Sequence, residues 1–327
     1  KRNNNVKLFG FLFGTLGMFN QSYIEITEEN FALYKNQGGF DFLGRSVDKI
    51  RSEEELEKTK NACEALDLDG LILVGATHTL TDSLLLSEYF LSKKVKTSVV
   101  AVPCTVDGNI HHPLFETTVG FDTASKVYSQ LIGNIMTDSA SATKYWYLIR
   151  LMGRDPSHLV LECALQTHPN YVIISEECSN RGQNLDDIVN DICDVIVERA
   201  RQNKNFGTIL IPEGLLAHLP HFKTLIEELN EVFHKHKQDD ISNKLLHDTD
   251  FLKSVLSPWS SAVFLDLPEF TRKQLLLERE AHGTIQLSQI ETERLISYKI
   301  GIELDKRKKE KKYKGSYSAI THFFGKL

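Results

Sequence analysis

The chain has 327 residues, 41% of them hydrophobic and 25% charged, with a formal net charge of -6. Single hydrophobic cores stop growing at roughly 250 to 300 residues, so two packed lobes are expected. The acidic balance excludes nonspecific nucleic-acid affinity while leaving room for a local basic site for small anions, and no apolar run approaches the roughly 20 residues of a membrane span.

Five cysteines (Cys63, Cys104, Cys163, Cys178 and Cys193) are scattered without CxxC spacing. Neither a disulfide framework nor a zinc site follows from them, and a reducing, cytoplasmic setting is expected. Lys1 opens abruptly ahead of an apolar segment, so an absent natural amino terminus is expected and targeting stays open.

In chain order, short apolar runs alternate with amphipathic stretches, the pattern of βαβ units around a parallel sheet. Leu8 to Leu12 reads as a buried strand, followed by Gly10, Gly14 and Gly17 in a spacing that suits close backbone approach to a phosphate or to another element. Ser52 caps a helix to Leu66. Leu71 to Val74 is a strand, Thr81 to Phe90 a helix and Thr97 to Val102 a strand. Phe121 to Met136 is read as helix, Tyr145 to Leu151 as strand, Ser157 to Leu165 as helix, and Tyr171 to Ile174 and Thr208 to Ile211 as strands. From Leu215 to Tyr313 leucine, glutamate and lysine dominate, which predicts a mostly helical insertion before a last strand at Ala319 to Phe324. No short-period repeat or low-complexity linker separates the lobes, so a shared interface with a cleft is expected.

Val102-Pro103-Cys104-Thr105-Val106-Asp107-Gly108-Asn109 directly follows a strand and presents a hydroxyl, a carboxylate and a glycine turn at one spot. Taken alone, Asp107 in such a turn would bond only nearby amides. Further on stand Arg150-Leu151-Met152-Gly153-Arg154, then Ser157-His158, then Leu161 to Asn170 (LECALQTHPN), and later Ile211-Pro212-Glu213-Gly214-Leu215. Together these segments resemble the P-x-T-[IV]-D-G-D, MGR and IPEGL motifs of the pyrophosphate-dependent phosphofructokinases, in their long, plant-type branch. Lys144-Tyr145, residues 36–41, 120–124, 289–294, 313–315 and 322–325 match as well, so the resemblance covers essentially the whole chain.

The resemblance implies an α/β phosphofructokinase fold of two Rossmann-like lobes with parallel-type sheets plus a helical insertion. It divides the chain into a donor-binding lobe (1–143), a sugar-phosphate lobe (144–214), the helical insertion (215–313) and a return to the core lobes (314–327). It makes Asp107 the base that takes the proton of the sugar 1-hydroxyl, with Thr105 beside it. Met152, Gly153, Arg154 and Glu213 become the fructose 6-phosphate or fructose 1,6-bisphosphate site, since an arginine fork and glycine amides suit a phosphate and a carboxylate suits sugar hydroxyls. Lys144 and Tyr145 would reach a neighbouring subunit's sugar phosphate, which implies an oligomer.

The donor side departs from the pattern. Gly75-Ala76-Thr77-His78-Thr79 stands where competent members carry G-G-D, Asn109 replaces the second aspartate of the T-x-D-G-D loop, and Cys104 replaces a lysine. The family's magnesium thus loses two acidic positions, and no metal ligand is assigned here. Losing one preorganised electrostatic partner typically costs roughly two to three orders of magnitude in rate. The family's first phosphate loop, G-G-x-A-P-G-x-N, would precede Lys1, and its terminal motif breaks at Lys326.

The resemblance is therefore closest to the family's regulatory subunit or domain, an allosteric, glycolytic protein working beside a catalytic partner. An active phosphotransferase from pyrophosphate or ATP and a structural partner without ligand are the alternatives. Plainer readings cover the remaining signals: His111-His112 point apart in a loop, His78 and the Lys306 to Lys314 basic run are solvated, and Cys104 is a small-residue replacement.

Overall fold

The computed structural model describes residues 6–46, 48–153, 155–235, 238–279 and 284–325. It divides into two compact units, Lys1–Thr105 with His112–Val119, and Val106–His111 with Gly120–Leu327. Among the described residues no helix is long and apolar enough to cross a membrane.

In the first unit, β1 (Phe9–Phe11) pairs antiparallel with β2 (Tyr23–Glu25). This corrects the expectation of a buried strand feeding a parallel sheet. The chain returns through the short helix Thr15–Phe19, and so compact a connection favours an antiparallel neighbour, whereas a parallel crossover takes a dozen or more residues. The glycines serve the chain's own packing, because a Cβ on Gly17 would lie 2.0 Å from the Leu12 carbonyl oxygen. The helix Glu53–Ala65 begins as its sequence dictates. Ser52 Oγ accepts from the Glu55 amide and the Glu55 carboxylate accepts from the Ser52 amide, a reciprocal cap at 3.3 and 2.9 Å.

β3 (Gly70–Gly75) and β4 (Ser98–Thr105) run parallel, joined by the helix Thr77–Ser92, with β5 (Val119–Gly120) beside β4. Leu71 packs with Leu86 and Phe90 on one face. On the other, Ile72 and Val74 are 61% and 60% exposed.

The second unit holds β6 (Trp146–Leu151), β7 (Tyr171–Val172), β8 (Gly207–Pro212) and β9 (Ala319–Phe324) in the all-parallel order β7-β8-β6-β9. All six residues of β6 and of β8 are buried, which is why both strands are nearly continuous apolar runs. Helices Phe121–Ala142 and His158–Thr167 bring Tyr128, Ile132, Leu159 and Cys163 to a core with Ile149 and Leu151. A second core joins Trp146, Leu148 and Ile209 to Leu185–Arg201, a helix the sequence reading did not anticipate, although Asn184 and Asp187 cap it reciprocally.

After Gly214 the described residues are mostly helical, from Leu215–His218 to Thr292–Lys309. Its Leu225, Leu275, Leu295 and Ile300 enter that same second core.

One buried charge pair ties Thr292–Lys309 to β6. Arg150 and Glu293 are 3% and 6% exposed, and Nε and Oε2 approach within 2.6 Å. Arg150 also donates from Nη1 to the Ser288 carbonyl at 3.0 Å and lies 3.8 Å over the Phe323 ring. Burial holds the guanidinium below its ordinary value and pushes the carboxyl above its own, so desolvation opposes each charge and their mutual contact offsets it.

Removing one partner strands the other. Arg150→Leu or Glu293→Leu is expected to cost about 3 to 5 kcal/mol, and the double variant markedly less than the sum. Denaturant titrations of the three variants followed by tryptophan fluorescence check this.

Candidate functional site

The register of β6 and β8, with Leu151 opposite Pro212, brings two strand carboxyl ends side by side. Ligands of open α/β sheets gather at such ends. Just beyond them the Gly153 amide donates to Glu213 Oε2 at 3.1 Å, and the Gly214 amide donates to the Gly153 carbonyl at 3.2 Å. Gly153 adopts φ +139°, a conformation that favours glycine, so the sequence must place one there. Glu213 is 4% exposed, with one oxygen committed to that amide.

Asp107 belongs to the same unit and approaches the same spot: a Cβ on Gly153 would lie 3.7 Å from Asp107 Oδ1. Gly108 follows at φ +63°, and a Cβ there would come within 2.8 Å of the Phe121 ring, so the turn is seated on that ring. Asp107, Gly153 and Glu213 are thereby brought together. Met152 is half-buried, its amide donating to the Phe324 carbonyl at 3.0 Å. Arg154 lies outside the described residues.

The loop leading from Gly153 into His158–Thr167 is fixed by contacts the sequence did not announce. Glu176 Oε1 accepts from the Ser157 amide at 2.8 Å, Ser157 Oγ accepts from the Ser175 amide at 3.0 Å, and His218 Nε2 is 2.9 Å from the Asp155 carbonyl oxygen. Burial pushes the Glu176 carboxyl up, but the Ser157 amide and hydroxyl outweigh it and hold it below the usual glutamate range. The next residue, His158, sets Nδ1 3.2 Å from the Gly108 carbonyl oxygen.

Lys144 and Tyr145 are elsewhere. They precede β6, with Lys144 Nζ 5.3 Å above the Tyr145 ring, and the strand carries the chain roughly 25 Å from there to Gly153 at about 3.3 Å per residue. They do not join the cluster within this chain.

Of the remaining candidates, Gly75, Thr77, Cys104 and Thr105 belong to the first unit and Asn109 to the second. Thr105, at the end of β4, is buried, and Asn109 is exposed. Cys104 is half-buried and burial raises its thiol pKa, the opposite of activation. Gly75 ends β3 and packs on Thr79, while Thr77 opens the following helix, exposed. Sequence reasoning missed Lys49, whose Nζ lies 3.4 Å from His78 Nε2, and Asp82, buried one turn on, its carboxyl pushed up by burial and accepting from the Ile50 amide at 3.4 Å. Among the described residues no three His, Cys, Asp or Glu side chains form a metal group. A diphosphate-bound magnesium calls for carboxylate oxygens, and neutral Thr77 and Asn109 do not fit it.

Comparison with known proteins gives four matches. The phosphofructokinase family model matches residues 1–249. The chain is 48% identical over 319 residues to pyrophosphate-fructose 6-phosphate 1-phosphotransferase subunit alpha of Solanum tuberosum, covering 97% of this chain and 50% of that protein. It is 42% identical over 317 residues to subunit beta 1 of the same-named protein of Arabidopsis thaliana, covering 97% and 55%. It thus spans about half the length of the curated relatives it matches. Among solved structures, the pyrophosphate-dependent phosphofructokinase of Nitrosospira multiformis shares the fold at TM-score 0.54 and 15% identity, over 65% of this chain and 54% of that one.

The depressed Glu176 value fixes a pH dependence. Its contribution to stability is present above about pH 4.5, the ordinary glutamate value, and is lost as pH falls through the depressed one. Glu176→Gln is therefore expected to lower the urea midpoint at neutral pH, with the gap to the unsubstituted protein closing on acidification below pH 4.5. A constant gap in midpoints across that range contradicts the assignment.

Proposed function

This chain belongs to the phosphofructokinase family, and from that premise we propose that it binds fructose 6-phosphate or fructose 1,6-bisphosphate as a regulatory subunit or domain whose donor side is impaired. The observation that carries the proposal is the asymmetry between the two sides. Gly153, Glu213 and Asp107 converge within one unit, whereas the donor positions hold Thr77, Cys104 and Asn109 in place of two carboxylates and an ammonium.

On the acceptor side, Arg154 would clasp the phosphate with its planar fork and the Gly153 backbone would allow close approach. Glu213 would accept from sugar hydroxyls with the oxygen the Gly153 amide does not use. Asp107 would accept the proton of the 1-hydroxyl as its oxygen attacks a phosphoryl donor. Magnesium, the family's usual ion, would neutralise the donor phosphates, and the residues of this chain offer it little on that side. Segment 1–143 is proposed as the donor lobe, 144–214 as the sugar-phosphate lobe, 215–313 as an insertion and 314–327 as the return to the core.

The names of the relatives, subunits alpha and beta, support a proposal that the protein works beside a catalytic phosphofructokinase chain or domain in an oligomer. Lys144 and Tyr145, remote from the cluster in their own chain, would then serve a neighbour's sugar phosphate. A cytoplasmic, glycolytic setting is proposed with it. Retention of Asp107 and Thr105 favours a second reading, an active phosphotransferase from pyrophosphate or ATP.

Titration calorimetry with fructose 6-phosphate tests the proposal. Saturable binding is expected for the protein, with Arg154→Ala and Glu213→Gln each weakening it about tenfold or more, the effect of losing a charge-assisted hydrogen bond. Undiminished affinity in both variants rejects the residue assignments, and no binding by the parent protein supports a purely structural partner.

A further inference from the structure

We propose that His158 is the positioning residue that keeps the Asp107-Gly108 turn in place against the sugar-phosphate segment, through a proton held on Nδ1. This rests on the assignment of Asp107 as base given above.

His158 is the first residue of the helix His158–Thr167. Its backbone is anchored one position earlier, where Ser157 bonds both Glu176 and the Ser175 amide. From that fixed point the ring reaches across to set Nδ1 3.2 Å from the Gly108 carbonyl oxygen, fifty residues away in sequence. A carbonyl oxygen only accepts, so Nδ1 must carry the proton whether the imidazole is neutral or charged. The neutral ring is thereby confined to the Nδ1–H tautomer, with a lone pair left on Nε2.

The turn it holds needs holding. Gly108 sits at positive φ, where glycine meets little steric restriction, and the Phe121 ring supports it from the side a Cβ would occupy. The His158 contact adds the restraint that ties the turn to the segment carrying Gly153. Asp107 immediately precedes Gly108, so its carboxylate beside Gly153 inherits that restraint. The His111 ring stands edge-on to His158 at 6.3 Å between centroids and packs rather than completing a metal site, since no third ligand joins them among the described residues.

Amide side chains separate a positioning role from a proton-carrying one. An asparagine amide nitrogen overlays Nδ1 and can still donate to the Gly108 carbonyl, whereas a glutamine amide overlays Nε2. In calorimetric titration with fructose 6-phosphate, His158→Leu and His158→Gln are expected to bind about tenfold more weakly and His158→Asn to recover most of the affinity. Recovery in His158→Gln but not in His158→Asn overturns the inference in favour of direct action through Nε2, and equal loss or full affinity in all three overturns it outright. Nitrogen NMR of the imidazoles in the unliganded protein gives a readout independent of binding, with the His158 signal, identified by its disappearance in His158→Asn, expected as the Nδ1–H tautomer. An Nε2–H tautomer overturns the inference. If the parent protein fails to bind fructose 6-phosphate, the sugar-phosphate proposal falls and the tautomer alone decides the place of His158.

Discussion

The parallel pairing of β6 with β8 is the constraint on which the candidate site depends. Because Leu151 stands opposite Pro212, the chain leaves both strands at the same level, and the Gly153 amide meets the Glu213 carboxylate. A slip of one residue would turn every side chain of the slipping strand to the opposite face, and repacking six consecutive buried positions makes such a slip costly. The sheet thus positions the loops that carry the candidate residues.

Charge is distributed along the same logic. Arg150 is drawn inward to Glu293 and Phe323, two residues before Met152, and couples a helix far along the chain to β6. Glu176, Ser157 and His158 do similar work on the loop side with hydrogen bonds. The Gly153–Glu213 contact thus has an ion pair on the strand side and hydrogen bonds on the loop side. The positions proposed for the donor side, by contrast, hold Thr77, Cys104 and Asn109, and next to Thr77 the His78 ring is met by Lys49.

Much of this was legible in the residues. Continuous apolar runs bounded by turns identified β6 and β8, and Ala319–Phe324 was located to the residue because a six-residue run rich in apolar side chains ends at a glycine. The Ser52 cap was equally plain, since both partners of the reciprocal bond lie three residues apart. The β1–β2 hairpin was misread because a three-residue strand has too few positions to declare its partner's direction. Leu185–Arg201 escaped although its cap was written in Asn184 and Asp187. At the site, motif resemblance picked out Asp107, Gly153 and Glu213, which converge, and Lys144 and Tyr145, which do not. The supports at Glu176, His158 and Glu293 act across nineteen residues, fifty residues and more than a hundred, separations that no periodicity or cap signal encodes.

The central claim is that acceptor binding has outlasted donor binding. Paired calorimetric titrations of the protein, one with fructose 6-phosphate and one with magnesium pyrophosphate, test it most directly. The account predicts saturable heat for the sugar phosphate and none above dilution for magnesium pyrophosphate. Comparable affinity for both, with turnover when they are combined, would contradict it.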